Sequence, residues 1–447
     1  MSGSTSPRVR RTAGPAVVLM LAAAAAGAFT GPAAAGRARA PTTTQVSVPG
    51  AGAPGTGFSF ENAVSADGRY VAFGSTVATL VPGDTNDEGD VFLRDLRAGT
   101  TERISVSGTG AQGDGNSFHP AVSADGRYVA FASLARTLVD GEPGDGRANV
   151  FVRDRRTGTT TKVTRAATGG ATDGGSTDTA ISGDGRYVAF GSDATNLVAG
   201  DTNGVRDVFR HDRRTGATVR VSVAGDGVQG DDASLDPEIS DDGRHVTYYS
   251  TATNLTPGDT NEVPDVFVRD LRAGATTLVS VPAVSGGTSG WGAFTPDISA
   301  DGRRVAFMST GNNLVAGDTN NNSDIFVRDL RAGTTTLVSV SGGGQQVAAG
   351  AETPAISADG RHVVFISADG ALVPGDTNQV GDVFRRDLRA GTTARVSVSS
   401  TGTQADDGSQ SPTLNADGTR VAFASLATNL VAGDRNGQID VFVHIRR

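Results

Sequence analysis

An Asp-Gly pair recurs along this chain of 447 residues, with its Asp at Asp67, Asp125, Asp184, Asp242, Asp301, Asp359 and Asp417. Successive intervals are 58, 59, 58, 59, 58 and 58 residues. A period this even, nearly free of insertions, requires seven copies of one supersecondary unit stacked on each other. A unit of that size buries its apolar face only against its neighbours.

The fifth copy shows the unit. Residues 295–310 hold two short apolar runs joined by Ala300-Asp301-Gly302, which reads as a hairpin whose Gly302 supplies a positive φ. A Gly/Asn/Asp-rich loop follows at 311–324. Residues 324–330 are a third strand, 331–334 a turn and 335–341 a fourth strand. No segment after the N-terminal region has helical periodicity. The expected fold is therefore all-β: a seven-bladed propeller of four-stranded blades.

The chain ends agree with a ring. The last copy stops at Arg447, after its third strand. Residues 42–48 stand alone before the first full unit and match the fourth strand at 334–340 in six of seven positions. They are expected to complete the last blade and remove an exposed sheet edge. Residues 1–35 read as a signal peptide: Arg8, Arg10 and Arg11, an apolar stretch at 15–29, and Ala33-Ala34-Ala35 as a cleavage site. Residues 36–447 form the single propeller domain. The expected setting is secreted or extracytoplasmic, without stable membrane insertion, since the apolar stretch is shorter than the ~20 residues a span needs.

Cysteine is absent, which excludes disulfides, thiolate metal sites and cysteine nucleophiles. Without residues 1–35 and their three Arg, 36 basic residues face 48 acidic ones, a net charge of 36 − 48 = −12. Nucleic acid is not an expected partner, because its affinity comes mainly from phosphate neutralisation by Lys and Arg.

The motif Pro/Thr-x-Ile-Ser-x-Asp-Gly-Arg-x-Val-x-Phe, followed by Asp-Val-Phe-Val-Arg-Asp-Leu, resembles the TolB-type, WD-repeat-like propeller repeat over residues 42–447. The resemblance implies a binding scaffold of the bacterial envelope. It does not imply a role in the Tol system, because the α/β domain that precedes the propeller in TolB has no counterpart here. Asp95, Asp154, Asp212, Asp270, Asp329 and Asp387 close the third strands and resemble the structural Asp of WD repeats, which bonds to backbone.

Two sets of candidate site residues stand out. The loop between the second and third strands carries Gly-Asp-Thr-Asn-x-x-x-Asp or a near variant. Its members are Asp84, Asn86 and Asp90 in blade one, and Asp201, Asn203 and Asp207 in blade three. Blade four has Asp259, Asn261 and Asp265, and blade five Asp318, Asn320 and Asp324. Blade six has Asp376, Asn378 and Asp382, and blade seven Asp434, Asn436 and Asp440. Blade two departs from the pattern. Oxygen ligands at this spacing suit Ca2+, whereas Asx-turns that hold the loop account for the same residues. No motif requires a cofactor; the candidate for these loops is weakly bound Ca2+ or another cation.

The second set consists of departures from the repeat on the long-loop rim. Glu238 and Asp297 replace the Ala found at Ala63, Ala121, Ala180 and Ala355; Tyr249 replaces Gly74 and Ala132; and Trp291 enters blade five. Aromatic faces beside carboxylates suit sugar or peptide recognition. The histidines His119, His211, His245, His362 and His444 have no interpretable spacing, with His245 and His362 in the slot of Tyr70 and Tyr128. No catalytic motif is present. The first expectation is thus a monomeric scaffold that binds a protein or polysaccharide through its long-loop face. The alternatives are a carbohydrate-active enzyme with a channel-mouth site and a purely structural envelope protein.

Overall fold

The computed structural model describes residues 40–49, 55, 57–141, 146–283 and 292–446. The expected signal peptide and Trp291 lie outside the described residues. All regular structure within them is strand, arranged as seven four-stranded antiparallel sheets. Blade one runs Ser59–Val64, Tyr70–Ser75, Asp90–Asp95 and Thr100–Arg103 in spatial order, from the channel outward. Blades two to six repeat this meander and blade seven has the same four-stranded order, which establishes the seven-bladed all-β propeller. No helix among the described residues is long and apolar enough to cross a membrane.

Most of the core lies between blades. Val71, Phe73 and Phe92 of blade one pack with Ala422, Val441 and Val443 of blade seven, all buried. Both faces of the second and third strands are covered by neighbouring blades, which is why these strands read as nearly continuous Val/Phe/Ala runs. Inside each blade a pair of rings faces across the ladder, as with Phe73 and Phe92, whose centroids are 5.8 Å apart.

The hairpin glycine has a second role beyond its turn. Gly126 has φ +70°, and a Cβ there would stand 2.1 Å from the Tyr70 ring of the preceding blade. The guanidinium of Arg155 covers that ring at 4.5 Å. His245 takes the ring's place against Gly302, again at 2.1 Å, and His362 lies against Gly418. Both are scaffold. The turns also bond to each other around the ring: Ala66 N donates to Ala124 O, Ala124 N to Gly183 O, Gly183 N to Asp241 O and Asp241 N to Ala300 O. Ala416 N donates to Ala66 O across the seam.

The third-strand aspartates also stabilise the turn that follows them. Asp95 Oδ1 accepts from the amides of Arg97 and Ala98, and Arg69 pairs with the carboxylate at 2.6 Å. The Arg69 bond, helped by those amides, lowers Asp95 to about 2.

Blade seven contains Ser409–Leu414, Arg420–Ser425, Asp440–Ile445 and, from the other end of the chain, Thr42–Gln45. Thr42 pairs with Ile445 and Gln45 with Phe442. The ladder is shorter than the expected 42–48. Val46 N and Ser47 N both turn to Val441 O, and Val48 N bonds to Val46 O, so the chain curls out of register. Val46 is still fully buried.

Two outcomes follow from this packing. Gly126→Ala is expected to lose stability by about 1–3 kcal/mol from overpacking alone, with the positive φ adding to it; denaturant titration reads the change. Deleting 40–48 removes Val46, worth about 1.5–3 kcal/mol by burial, together with its backbone pairing. The truncated protein should melt lower and self-associate in light scattering; an unchanged monomer would refute closure by this strand.

Candidate functional site

The innermost strand of each blade carries a β-bulge near its start, at the long-loop rim. The bulge residues are Glu61, His119, Asp178, Asp236, Thr295, Thr353 and Ser411, all with φ between 41° and 54°. A positive φ is uncommon for residues other than glycine, and Thr tolerates it less well than Asp or His. Bulges re-aim side chains, and residues held in such conformations cluster at functional sites. Proline follows the bulge at Pro120, Pro237, Pro296, Pro354 and Pro412. An edge strand tolerates it, because the missing N–H would have no ladder partner.

The bulges place one arc of charge on the channel wall. His119 lies between Glu61, with Nε2–Oε1 3.2 Å, and Asp178, with Nδ1–Oδ1 3.3 Å. Arg206 reaches Asp178 Oδ2 at 2.7 Å. Burial opposes the charge on His119, but the neighbouring carboxylates of Glu61, Asp178 and Asp236 outweigh it and raise the imidazole above its ordinary value. Asp236 is pushed up to about 6 by burial and by the charge of Asp178. Blades five, six and seven offer the hydroxyls of Thr295, Thr353 and Ser411 in the same ring.

Deeper in the channel, Glu238 and Asp297 line the same cavity of ≈530 Å3 as these bulge residues. Both keep some surface open to the channel, yet protein surrounds them. Neither faces a guanidinium among the described residues. Burial raises Asp297 to about 6, held down partly by the amides of Ile356 and Ile298, which donate to Oδ2 at 2.6 Å and Oδ1 at 2.7 Å. Glu238 lies well above its ordinary value through burial and then the charges of Asp297 and Asp236. Tyr249 stands at the rim, edge-on to Phe294 with centroids 5.5 Å apart. Its phenol is raised by burial and by the charges of Asp236 and Asp178.

Two of the four rim residues expected from sequence thus share one cavity and a third lies near its mouth. The arc Glu61–His119–Asp178–Asp236 was missed. Its signal was there: one slot in the repeat, often followed by Pro, holds charged residues in blades one to four and hydroxyl residues in the rest.

The repeated Asp/Asn loops are a separate matter. Each Asn forms an Asx-turn, as where Asn86 Oδ1 accepts from Glu88 N and Asn320 Oδ1 from Asn322 N. The last Asp of the loop accepts from the fourth-strand serine, as Asp90 does from Ser105. In blades one, three and six an arginine from the fourth strand adjoins both carboxylates. Arg103 reaches Asp84 at 3.4 Å and Asp90 at 3.2 Å; Arg220 reaches Asp201 and Asp207; and Arg395 reaches Asp376 and Asp382. In blade five Gln346 Nε2 bridges Asp318 and Asp324. Among the described residues no group of three or more His, Asp and Glu side chains is arranged to hold a metal ion.

No family model matches the chain, and no curated protein matches it. Solved structures do. An oligogalacturonate lyase in complex with manganese is 13% identical, with a TM-score of 0.55, over 92% of this chain and 98% of the lyase. The β-propeller domain of the trilobed protease from Pyrococcus furiosus, which has an open velcro topology, is 11% identical with a TM-score of 0.53, covering 87% and 95%. TolB from Acinetobacter baumannii is 17% identical with a TM-score of 0.39, over 68% of this chain; the chain spans 58% of TolB's length. At these identities the likeness is one of fold.

Buried carboxyls of raised pKa and arginine-bound carboxyls of lowered pKa act at opposite ends of the pH scale. For Asp236 and Asp297, at about 6, the folded state holds the proton more tightly than the unfolded one, so their contribution to stability falls as pH rises through 4 to 6. For Asp95 and Asp154, at about 2, it is present above about 4 and lost as pH falls towards 2. Thermal unfolding should therefore show greatest stability between about pH 4 and 5. Glu238→Gln should raise the melting temperature at pH 7.5, where burial opposes the carboxylate, and should gain little at pH 4.

Proposed function

We propose that this protein is an extracytoplasmic propeller of the TolB-like kind that binds a protein or polysaccharide chain at its long-loop face, with the acidic channel mouth as the recognition site. The observation that carries this reading is the convergence of Glu61, His119, Asp178, Asp236, Glu238 and Asp297 on one cavity of ≈530 Å3. That volume is typical of ligand pockets. The bulges that build it hold their backbone in an uncommon conformation, of the kind that clusters at functional sites. A carboxylate-lined cavity selects a basic peptide segment or a hydroxyl-rich glycan and repels polyanions. The N-terminal export segment read from the sequence supports the extracytoplasmic setting.

A second reading is favoured by one feature: Asp297 and Glu238, both raised by burial, act on each other inside the channel. Carboxyls tuned towards neutral pH are suited to general acid and base work on a glycan.

Peptide and glycan arrays probed with the full chain test both readings. A hit among basic peptides or neutral glycans is expected. Asp236→Asn should weaken binding at least tenfold, about 1.4 kcal/mol, without lowering the melting temperature. Binding that survives both Asp236→Asn and Glu238→Gln would place recognition elsewhere. Cleavage of the bound glycan, lost in Glu238→Gln, would favour the enzyme.

A further inference from the structure

We propose that the seam of the ring holds a hard cation of the Ca2+ class, bound by Asp434 and Asp440, and that this cation fastens the N-terminal strand to the last blade. The argument rests on comparing the blades. In three of them the protein itself supplies a cation between the two loop carboxylates, the guanidinium of Arg103, Arg220 or Arg395. Each arginine comes from the fourth strand; Arg103, for example, pairs with Phe92 in the ladder. In blade seven that position belongs to Gln45, which pairs with Phe442. The carboxylates remain and the positive charge does not, as in blades four and five, where Leu278 and Leu337 stand opposite Phe267 and Phe326; in blade seven, however, the site joins the two ends of the chain.

Burial makes this consequential. Asp434 is 5% exposed and Asp440 1% exposed. Asp440 is held in place: Ser47 Oγ donates to its Oδ1 at 2.6 Å and Asn436 Nδ2 to its Oδ2 at 2.9 Å. Among the described residues Asp434 Oδ1 has no hydrogen-bond partner, as holds for one oxygen of Asp201, Asp259, Asp318 and Asp376 in blades three to six, and neither has the buried Nε2 of Gln45. The glutamine that donates to these carboxylates in blades one, five and six is also missing: six residues after Val106 stands Gln112, whereas six after Val48 stands Pro54. A buried carboxylate without a counter-charge is costly, and a cation where the guanidinium sits elsewhere removes that cost. Two carboxylates and water suit Ca2+, which takes six to eight oxygens in irregular geometry. The sparse protein share of that shell implies weak, millimolar-range binding, as in extracellular modules. Because Gln45 and Ser47 belong to the N-terminal segment and Asp434 and Asp440 to the last blade, the cation would act as a clasp between the two.

The test uses the full chain with Ca2+ as the probe, in thermal unfolding and calorimetric titration. Millimolar Ca2+ should raise the melting temperature above its value in chelator. Gln45→Arg, which restores the residue of blades one, three and six, should lose one equivalent of bound Ca2+ and melt in chelator at or above the wild-type temperature. Asp434→Asn should lose the same equivalent, and carries the test should the arginine variant fail to fold. No Ca2+ uptake by the wild type, or an undiminished stoichiometry in both variants, would overturn the proposal. A stabilisation that Na+ reproduces at equal ionic strength would overturn it too, because screening would then explain it. None of these outcomes bears on the channel mouth.

Discussion

The contact between each hairpin turn and the blade before it organises this molecule. The turn glycine needs its positive φ, but it also has to lie flat beneath a ring or guanidinium of its neighbour, where any Cβ would collide. Tyr70, Tyr128, Tyr187, His245, Arg304, His362 and Arg420 fill that place in successive blades. The contact sets the distance between blades, and the turn-to-turn hydrogen bonds hold it. With the turn rim drawn together in this way, the innermost strands converge on one channel, and their bulges come to face each other at the other rim.

Charge is distributed according to access to arginine. Where Arg69, Arg127 or Arg361 meets a third-strand Asp, the carboxylate is held in its charged form and serves the scaffold. Where carboxyls are buried without arginine, as at Glu238 and Asp297, burial and mutual repulsion favour the proton instead. A fold that needed only rigidity would gain from Ala at both positions, which most other blades have. Retaining acids there costs stability, and the cost is confined to the channel, where a ligand or a proton can relieve it.

The fold was almost wholly legible in the sequence, because a repeat makes every local inference seven times over. A turn glycine at a fixed interval, with apolar runs of strand length on both sides, leaves few architectures. The site was legible only in part. Glu238 and Asp297 stood out because Ala is the repeat's norm in that slot. His119 did not, since one histidine among variable residues carries no mark of its orientation. The same holds for the Asp/Asn loops: the arginine beside Asp84 and Asp90 lies in another strand, and nothing in the loop itself reveals it.

What the sequence determined by itself, then, was everything that depends on period and local conformation: strands, hairpin turns, blade number and the likeness of residues 42–48 to a fourth strand. Those properties are set within a few residues and copied from unit to unit. Tertiary structure alone decided which side chains meet. The bulge turns Glu61, His119, Asp178 and Asp236 towards the channel, and only the curvature of the ring brings four separate blades within reach of one another. Likewise, the pairing of Gln45 with Phe442, nearly four hundred residues away, follows from the closing of the ring, because contacts between remote segments arise from packing and not from the residues on either side of them.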